Sequence, residues 1–454
     1  MEVKEKDSWD SLREYLQDED AAGLNTYLAE LSGTESIRAL MRLGPEEQQK
    51  LLAIVPPESA AEVFDYIPDE SAAEMLGELS PEIAASIVHQ MPSDEQADVL
   101  SELDGDDLAE ILYFMPGDEA DTAMRLMAYD SDVAGGLMMT EYFRFPKAAR
   151  AGTVLTKLSQ REDEYELNHV QYIYVTEKSG VLLGVVRIRD IIFADPQAQL
   201  KDILRPADSV IDTTKLDDLE RFFDENRLSA IPVVDENNIM LGIVRRRAVF
   251  DAVAGQRESA HLKSQGIVGG EELRSMPTIL RSRRRLSWLS VNIVLNVIAA
   301  SVIAQFQDVL SAVIILAVFL PIISDMSGCS GNQAVAVSMR ELSLGLITRS
   351  DLYYVWRKEA IVGLINGSTL GVLIALVAWL WQGNGWLGLV VGAALSVNTL
   401  LAVSIGGTVP VVLKSLNVDP AIASGPILTT ITDMCGFFLL LGTASLMLPL
   451  LTGG

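Results

Sequence analysis

Residues 421–448 read AIASGPILTTITDMCGFFLLLGTASLML, an apolar segment of 28 residues with a single charged side chain, Asp433. An ionisable group at the centre of a bilayer costs roughly 2.5–3.5 kcal/mol on insertion scales, so such groups are rare unless they have a function. Thr429 precedes Asp433 by four residues and Gly436 follows it by three, which places a hydroxyl and a bare patch of backbone on one helical face. We therefore predict a membrane-spanning helix in which Asp433 lies on a path for ions or protons.

The rest of the chain divides into two parts of unlike composition. Residues 286–454 hold seven Asp and Glu and five Lys and Arg, whereas residues 1–285 hold 55 and 30, a net charge of about −25. The first part is therefore predicted to be soluble and acidic, and the second to be embedded in a membrane. The acidity argues against nucleic acid as a partner and suits a protein surrounded by cations.

Five membrane spans are predicted, and the basic residues between them set their orientation. The spans cover residues 288–306, 311–339, 359–381, 386–413 and 421–448, each long enough to cross a bilayer with tilt. Basic residues stand before span one, between spans two and three, and between spans four and five: Arg281, Arg283, Arg284, Arg285, Arg340, Arg349, Arg357, Lys358 and Lys414. Positive charge favours the cytoplasmic side, so we expect a multi-pass protein of the cell membrane with a cytoplasmic N-terminus and an outside C-terminus. Anionic membrane lipids are a further expected contact of the arginines before span one, although topology alone also explains this cluster.

The second span contains an unusual group of small and polar residues. Residues 321–333 read PIISDMSGCSGNQ, and we expect Pro321 to break the helix because proline lacks the backbone N–H that a helix needs. Freed carbonyls and polar side chains would offer oxygen ligands, which favour hard cations such as Mg²⁺. The predicted pore-lining residues are Asp325, Gly328, Gly331, Asn332 and Gln333. The alternative is that these residues only mediate packing between helices.

The acidic part begins with an internal repeat of 12 residues. Successive cycles open at Gly44, Pro56, Pro68, Ser80, Pro92, Asp104 and Pro116, each preceded by an apolar residue and followed by acidic ones. This pattern is typical of helix starts, so we predict a superhelical stack of short helices over residues 1–133, whose hand stays open. Such a stack would bind a protein partner. Alternatively, Asp106 and Glu110, which share a helical face, take part in binding a hard cation.

Two similar α/β modules follow at residues 134–200 and 201–254. Runs typical of strands occur in the same order in both modules: YIYV at 172–175 and LGVV at 183–186, then IPVV at 231–234 and LGIV at 241–244. This duplication resembles a tandem CBS pair, a regulatory module that commonly binds metal or an adenine nucleotide such as ATP between its halves. Arg189 and Asp190 stand at a helix start where such modules often hold ribose and phosphate; the alternative is an exposed turn.

The domain order as a whole resembles the MgtE family of magnesium channels and transporters. A helical repeat domain and a CBS pair are followed by a polar connector helix at residues 255–285 and a five-helix transmembrane domain at residues 286–454. Matching motifs include AGGLM at 134–138, GNQ at 331–333, VDP at 418–420, and Asp433. The resemblance covers almost the whole chain, so we expect a multidomain protein with an all-α superhelix, an α/β pair and a helical membrane domain.

The resemblance also implies a partner and a metal site. It implies a homodimer whose ion path runs between the two subunits, with Asp433 of each subunit binding Mg²⁺. Backbone near Thr429 and residues 331–333 would lie alongside, and Asp419 would lie at the cytoplasmic mouth. Cys329 and Val403 each occupy a position where the family often has Asn. A thiol near the path would favour a softer ion such as Co²⁺, unless Cys329 is only a small apolar filler.

Regulation is expected to depart from the family pattern. Members close when Mg²⁺ bridges acids of the repeat domain, the CBS pair and the connector; Asp106, Glu110 and Glu258 match such acids here. Arginines replace other acids of that set: Arg227, Arg245, Arg246 and Arg247. We hypothesise that the arginines neutralise Asp106 and Glu110 directly, which would weaken or replace Mg²⁺-dependent closure.

Other classes of function are weighed by what the sequence contains. An enzyme is disfavoured, because the sequence shows no nucleophile–base pairing and no glycine-rich phosphate loop. A membrane sensor of ions or nucleotide that does not transport remains an alternative. So does a proton-coupled carrier of divalent cations, because a carboxylate in a membrane can relay protons.

Overall fold

The structure, a computed structural model, describes residues 8–18, 20–160, 171–267, 272, 274, 276, 278–416 and 418–452, without the side chains of residues 8, 422 and 423. The chain forms two compact units, Met1–Gly255 and Gln256–Gly454. The first unit contains short helices and two small β-sheets, and the second contains long apolar helices.

The repeat domain is a stack of short helices, as predicted. Its helices are α1 (Ser8–Asp18), α2 (Ala21–Glu30), α3 (Gly33–Leu40), α4 (Pro45–Ile54), α5 (Pro57–Phe64), α6 (Asp69–Gly77), α7 (Pro81–Val88), α8 (Ser93–Ser101), α9 (Gly105–Phe114) and α10 (Gly117–Leu126). From α4 onward, each helix begins one residue after a predicted cycle opening. Proline suits this first position because its missing N–H would have no partner there.

The stack is held together by contacts between alternate helices. From α4 to α8, each helix packs against the helix two places further along the chain. The apolar residues before most cycle openings, such as Val55, Ile67 and Met91, are buried in this core. Helices of eight to ten residues are marginal in isolation, so the shared core stabilises them.

The predicted α/β pair forms two sheets. The first sheet has the order β2-β3-β4 and the second the order β1-β7-β6-β5. The strands are β1 (Met138–Met139), β2 (Arg144–Pro146), β3 (Tyr172–Thr176), β4 (Leu182–Arg187), β5 (Val210–Ile211), β6 (Ala230–Val234) and β7 (Met240–Arg245). The accompanying helices are α11 (Ala151–Ser159), α12 (Ile188–Ile192), α13 (Leu200–Ile203), α14 (Leu216–Glu225) and α15 (Arg246–Ser264).

The first predicted module supplies one strand to the second sheet across the predicted module boundary. β1 pairs antiparallel with β7, with Met138 opposite Val244, so the chain entering the first predicted module supplies an edge of the second sheet. Gly242 permits this close approach, because a Cβ there would lie 2.8 Å from the carbonyl oxygen of Met139. The boundary at residue 200 itself stays a prediction.

The predicted single connector helix over residues 255–285 is wrong. α15 extends only to Ser264, where Gly266 adopts a left-handed φ of 85°. The N–H of Ile267 bonds to the carbonyl of Leu262, and that of Gly266 to Lys263, which is a Schellman ending. The end of the predicted connector instead begins α16 (Thr278–Ala304). Residues 268–271, 273, 275 and 277 lie outside the described residues.

The second unit contains the predicted membrane helices. Among the described residues, four segments are long and apolar enough to cross a membrane: Thr278–Ala304, Arg349–Gln382, Gly385–Ser415 and Ser424–Leu446. The corresponding helices are α16, α19 (Leu352–Gln382), α20 (Gly385–Ser415) and α21 (Pro420–Leu446). The other predicted span corresponds to α18 (Leu316–Ser343), which has 28 residues and a polar middle. Two short helices, α17 (Gln307–Ala312) and α22 (Leu448–Thr452), flank these spans.

The predicted break in the second span is also wrong. α18 continues through Pro321, and the interruption lies earlier, at residues 313–315 between α17 and α18. Pro321 lies in the second turn of α18, where it removes one backbone hydrogen bond without ending the helix. Gly331 serves packing, because a Cβ added there would lie 2.8 Å from Cδ2 of Leu428 and 3.0 Å from the Ala402 carbonyl oxygen.

Candidate functional site

Asp433 lies at the middle of α21, and two neighbouring helices hold the turn around it. The side chain is half-buried, and Oγ of Ser324 in α18 donates a hydrogen bond to its Oδ1. One residue earlier, the Thr432 carbonyl accepts a hydrogen bond of 3.1 Å from Nδ2 of Asn398 in α20. Within the described part of the chain, no Lys or Arg pairs with Asp433. Its carboxylate is therefore compensated by a hydroxyl alone and can accept a cation.

Sequence reasoning missed both Ser324 and Asn398. Asn398 is fully buried, and it is the single amide side chain in the predicted span at residues 386–413. The rule that singled out Asp433, a costly polar group within an apolar segment, would also have found Asn398. Ser324 gave no such signal, since serine is common where membrane helices pack together.

Several buried polar atoms near the middle of these helices lack a partner. Counting only described residues, they are Oγ of Ser327, Oδ1 of Asn398 and Oγ1 of Thr399. All three side chains are fully buried. An unsatisfied buried polar atom costs about 1–3 kcal/mol, so fold stability alone does not explain these residues.

The predicted pore-lining residues of α18 fall into two groups. Asp325, Asn332 and Gln333 are exposed, and Cys329 is exposed one turn after Asp325. Gly328 and Gly331 are buried. Among the described hydrogen bonds, the residue of α18 that bonds to Asp433 is Ser324, and not Asp325, Asn332 or Gln333. α18 thus supplies one polar contact to Asp433 and presents a separate polar face outward.

Thr429 and Asp419 make local contacts on α21. Oγ1 of Thr429 donates to the Pro426 carbonyl at 3.2 Å, and the Thr429 carbonyl accepts from Oγ1 of Thr432 at 3.0 Å. Asp419 caps α21 by accepting a hydrogen bond of 2.8 Å from the N–H of Ala421. Its other carboxylate oxygen lies 3.8 Å from Nζ of Lys263. A cation at Asp419 would therefore compete with an existing cap and ion pair.

Arg245, the last residue of β7, and Arg247 in α15 contact acids of the repeat domain, although not the predicted acids. Nη2 of Arg245 lies 2.9 Å from Oδ2 of Asp94 and 3.8 Å from Oε1 of Glu95. Nη2 of Arg247 lies 3.6 Å from Oδ2 of Asp65. The hypothesis that arginines neutralise Asp106 and Glu110 is therefore corrected: both acids are exposed on α9. Glu258 is exposed on α15.

The packing of α8 against the CBS pair determines which acids the arginines contact. Oγ of Ser93 donates to Glu141 at 2.9 Å and accepts from the N–H of Thr140 at 2.8 Å. These bonds fix the start of α8 beside β1, the strand that pairs with β7. Asp94 and Glu95 are in the first turn of α8 and therefore meet Arg245, which ends β7. Arg246 instead stacks on Phe250, with its Cζ 5.0 Å from the ring centroid.

Asp65, Asp94 and Glu95 near Arg245, together with the neighbouring Asp98, form an acid cluster in which burial and like charges raise pKa values. Burial raises the pKa of Glu95 to about 8, with contributions from Asp94 and Asp65, while Arg245 opposes the rise. Burial and the nearby charges of Asp69 and Asp94 raise the pKa of Asp98 to about 8 as well. Asp94 is only 5% exposed. Arg245, together with Arg247 at Asp65, thus compensates a group of acids in which two carboxyls have a raised pKa.

Comparisons with known proteins identify the family. The family model "Divalent cation transporter" matches residues 320–443, "MgtE intracellular N domain" matches 34–132, and "CBS domain" matches 200–255. The magnesium transporter MgtE of Bacillus subtilis (strain 168) is 32% identical over 324 residues, which cover 70% of each chain. That of Thermus thermophilus is 31% identical, covering 71% of this chain and 72% of its own. The chain belongs to the MgtE family of magnesium transporters.

Two solved structures of magnesium-transport proteins are similar to about half of this chain. The soluble part of a magnesium transporter is 25% identical with a TM-score of 0.51, covering 55% of this chain and 98% of that one. The cytosolic domain of the Mg²⁺ channel MgtE in complex with ATP is 29% identical with a TM-score of 0.50, covering 54% and 99%. The helical repeat domain and the CBS pair are thus confirmed.

The predicted nucleotide residues of the CBS pair lie on α12. Nε of Arg205 donates a hydrogen bond of 3.0 Å to Oδ2 of Asp190, and the two side chains form an ion pair. The Asp190 side chain is 19% exposed, whereas Arg189 is exposed. A nucleotide here would compete with Arg205 for the carboxylate. A separate cleft of about 700 Å³ is lined by basic and aromatic residues that do not include this pair: Arg125, Tyr142, Arg144 and Lys157.

Proposed function

We propose that this protein moves Mg²⁺ across the cell membrane through a pore formed by two copies of the chain. Asp433 of each copy would be the carboxylate that binds the ion. The observation that carries the proposal is the position of Asp433, at the centre of an apolar helix with a hydroxyl, and no basic group, as its described partner. Relatives named magnesium transporters support Mg²⁺ as the ion.

The outward polar face of α18 supports a pore between two copies. Asp325, Asn332 and Gln333 are exposed on this helix. Facing lipid, such groups would be costly, so membrane proteins keep them against other protein or against water. A second copy would shield this face and leave it lining the ion path, with Cys329 among the residues near the ion.

The available ligands fit a hydrated Mg²⁺ ion. Mg²⁺ gives up its water reluctantly and is usually held by one or two carboxylates while it keeps several waters. Two copies of Asp433 would provide those carboxylates. Hydroxyls such as that of Ser324 and the exposed amides of α18 would bind the retained waters. Other divalent cations would be accepted to the extent that the same oxygens hold them.

Uptake of Mg²⁺ into proteoliposomes tests the proposal. Asp433→Asn keeps the size of the side chain and removes its charge, so uptake should fall to the level of empty liposomes. Asp308→Asn makes the same chemical change at an exposed residue of α17 and should leave uptake intact. Equal uptake with Asp433→Asn would remove Asp433 from the mechanism. No uptake even by the wild type would favour a sensor, and dependence on a pH gradient would favour a proton-coupled carrier.

The cytosolic domains are proposed to regulate the pore with weakened dependence on Mg²⁺. Arg245 already places a positive charge among the acids of α8. We expect the same flux at micromolar and millimolar cytosolic Mg²⁺. A steep block by millimolar Mg²⁺ would contradict this and would return Asp106, Glu110 and Glu258 to a metal-binding role. ATP binding at Arg189 and Asp190 belongs to the same regulatory proposal.

A further inference from the structure

We propose that Asn398 is a positioning residue that orients the Asp433 turn of α21 for ion binding. The inference rests on the proposed function, in which Asp433 binds the ion. Asn398 donates through Nδ2 to the carbonyl of Thr432, the residue directly before Asp433. Ser324 holds the side chain of Asp433 from α18, so two helices fix two consecutive residues of α21.

Stability alone does not explain an asparagine at this position. Asn398 is fully buried, and within the described residues its Oδ1 has no hydrogen-bond partner. An apolar side chain would avoid the cost of burying that oxygen in a membrane core. The residue is better explained by the one bond that it makes, which ends on the backbone beside Asp433.

Gly436 provides the space that the Asn398 amide occupies. A Cβ added at Gly436 would lie 2.7 Å from Nδ2 of Asn398, closer than real Cβ contacts allow. Gly436 is three residues after Asp433, on the same face of α21. Asn398 and Gly436 therefore form a matched pair, in which the missing side chain on α21 admits the amide from α20.

A double-mutant cycle on Mg²⁺ uptake by the full-length protein in proteoliposomes tests this role. Asn398→Ala and Gly436→Ala should each raise KM for Mg²⁺ about tenfold, equivalent to roughly 1.4 kcal/mol of binding, with a smaller effect on the maximal rate. The double variant should be about as impaired as either single variant, because both remove the same contact. Effects that multiply to about a hundredfold would overturn the proposal, because additivity marks independent sites.

Two matched controls separate positioning from general damage to the membrane helices. Gly442→Ala changes another glycine of α21, at a place where a Cβ would meet no atom within 4 Å. Asn296→Ala removes another amide, whose Nδ2 bonds the Asn292 carbonyl at 2.9 Å on exposed α16. Both should keep the wild-type KM. If Gly436→Ala does not assemble, the KM of Asn398→Ala against that of Asn296→Ala decides, and equal values overturn the proposal.

Failure of this inference is distinguishable from failure of the proposed function. Asp433→Asn is measured in the same series. If it loses uptake while Asn398→Ala keeps the wild-type KM, only the positioning role of Asn398 is overturned. If Asp433→Asn transports like the wild type, the proposed function fails and the role of Asn398 fails with it.

Discussion

Acidic side chains with little or partial exposure occur in both units of the molecule, and the charges of Asp94 and Asp433 are compensated in different ways. In the first unit, Arg245 lies 2.9 Å from Asp94 and 3.8 Å from Glu95. In the second unit, Asp433 receives a hydrogen bond from Ser324 and, within the described residues, no ion pair. The first group has its cation built into the chain, whereas Asp433 is left to accept one from solution.

This difference shows why acidity alone does not identify a metal site. An arginine side chain does not lose its proton in proteins, and it is covalently part of the chain. Its ion pairs therefore connect segments without exchange of the cation with solvent. A carboxylate whose only described partner is a hydroxyl can bind and release an ion. What distinguishes the two regions is therefore the basic partner rather than the number of acids.

The largest expected effect is on Mg²⁺ transport, which should depend on Asp433 and not on Asp94. Asp433→Asn should abolish Mg²⁺ uptake, whereas Asp94→Asn should retain it, because the charge of Asp94 is already used within the first unit. Uptake into proteoliposomes, normalised to the amount of reconstituted protein, measures both variants. Loss of uptake in a well-assembled Asp94→Asn protein would show that the acid cluster also serves transport.

A smaller effect is expected on stability when the cation of the cluster is removed. Arg245→Ala leaves Asp94 buried without its partner, which should destabilise the first unit by about 1–3 kcal/mol. Thermal unfolding of the full-length protein in detergent would show this as a lower melting temperature. Uptake through Asp433 should persist at temperatures below that transition.

Arg247→Ala is the matched control for this variant. Arg247 lies 3.6 Å from Asp65, but its side chain is 63% exposed, so the pair should contribute less than about 1 kcal/mol. Equal losses in the two variants would mean that the burial of Asp94 does not determine the strength of these pairs.

Features that depend on neighbouring residues in the chain could be predicted from the sequence. Each repeat cycle contains its own helix-start signal, so the starts of α4 to α10 follow directly from proline, serine or aspartate and the acids after them. The membrane helix around Asp433 was predictable for a similar reason, since length and lack of charge define a span.

Features that depend on where a residue falls within its helix, or on contacts between distant segments, could not be predicted in the same way. Pro321 was expected to break α18, but its effect depends on its position in the helix, and the second turn tolerates it. Arg245 was expected to meet Asp106 and Glu110, but the docking of Ser93 on Thr140 brings α8 to β7 instead. The contact between Ser324 and Asp433 likewise joins two residues that are 109 positions apart in the sequence.

The smallest expected effect concerns the response of the acid cluster to pH. Burial raises the pKa of both Glu95 and Asp98 to about 8, so the folded state keeps protons that the unfolded chain loses above about pH 4.5. The folded state therefore binds more protons, and stability should fall as pH rises toward 8 and level off above it. Because Glu95 is partly exposed, the free energy of unfolding should fall by roughly 0.5 kcal/mol per pH unit, which is less than full linkage to the two groups would give.

Two neutral substitutions test this pH dependence. Glu95→Gln together with Asp98→Asn should flatten the dependence of the melting temperature between pH 6 and 8, because neither substituted side chain titrates. Asp106→Asn, at an exposed acid of α9, should leave the slope unchanged. An unchanged slope in the double variant would mean that both carboxyls are ionised at neutral pH. Arg245 would then be balancing a fully charged cluster, which would bring that region closer to a metal site in its electrostatics.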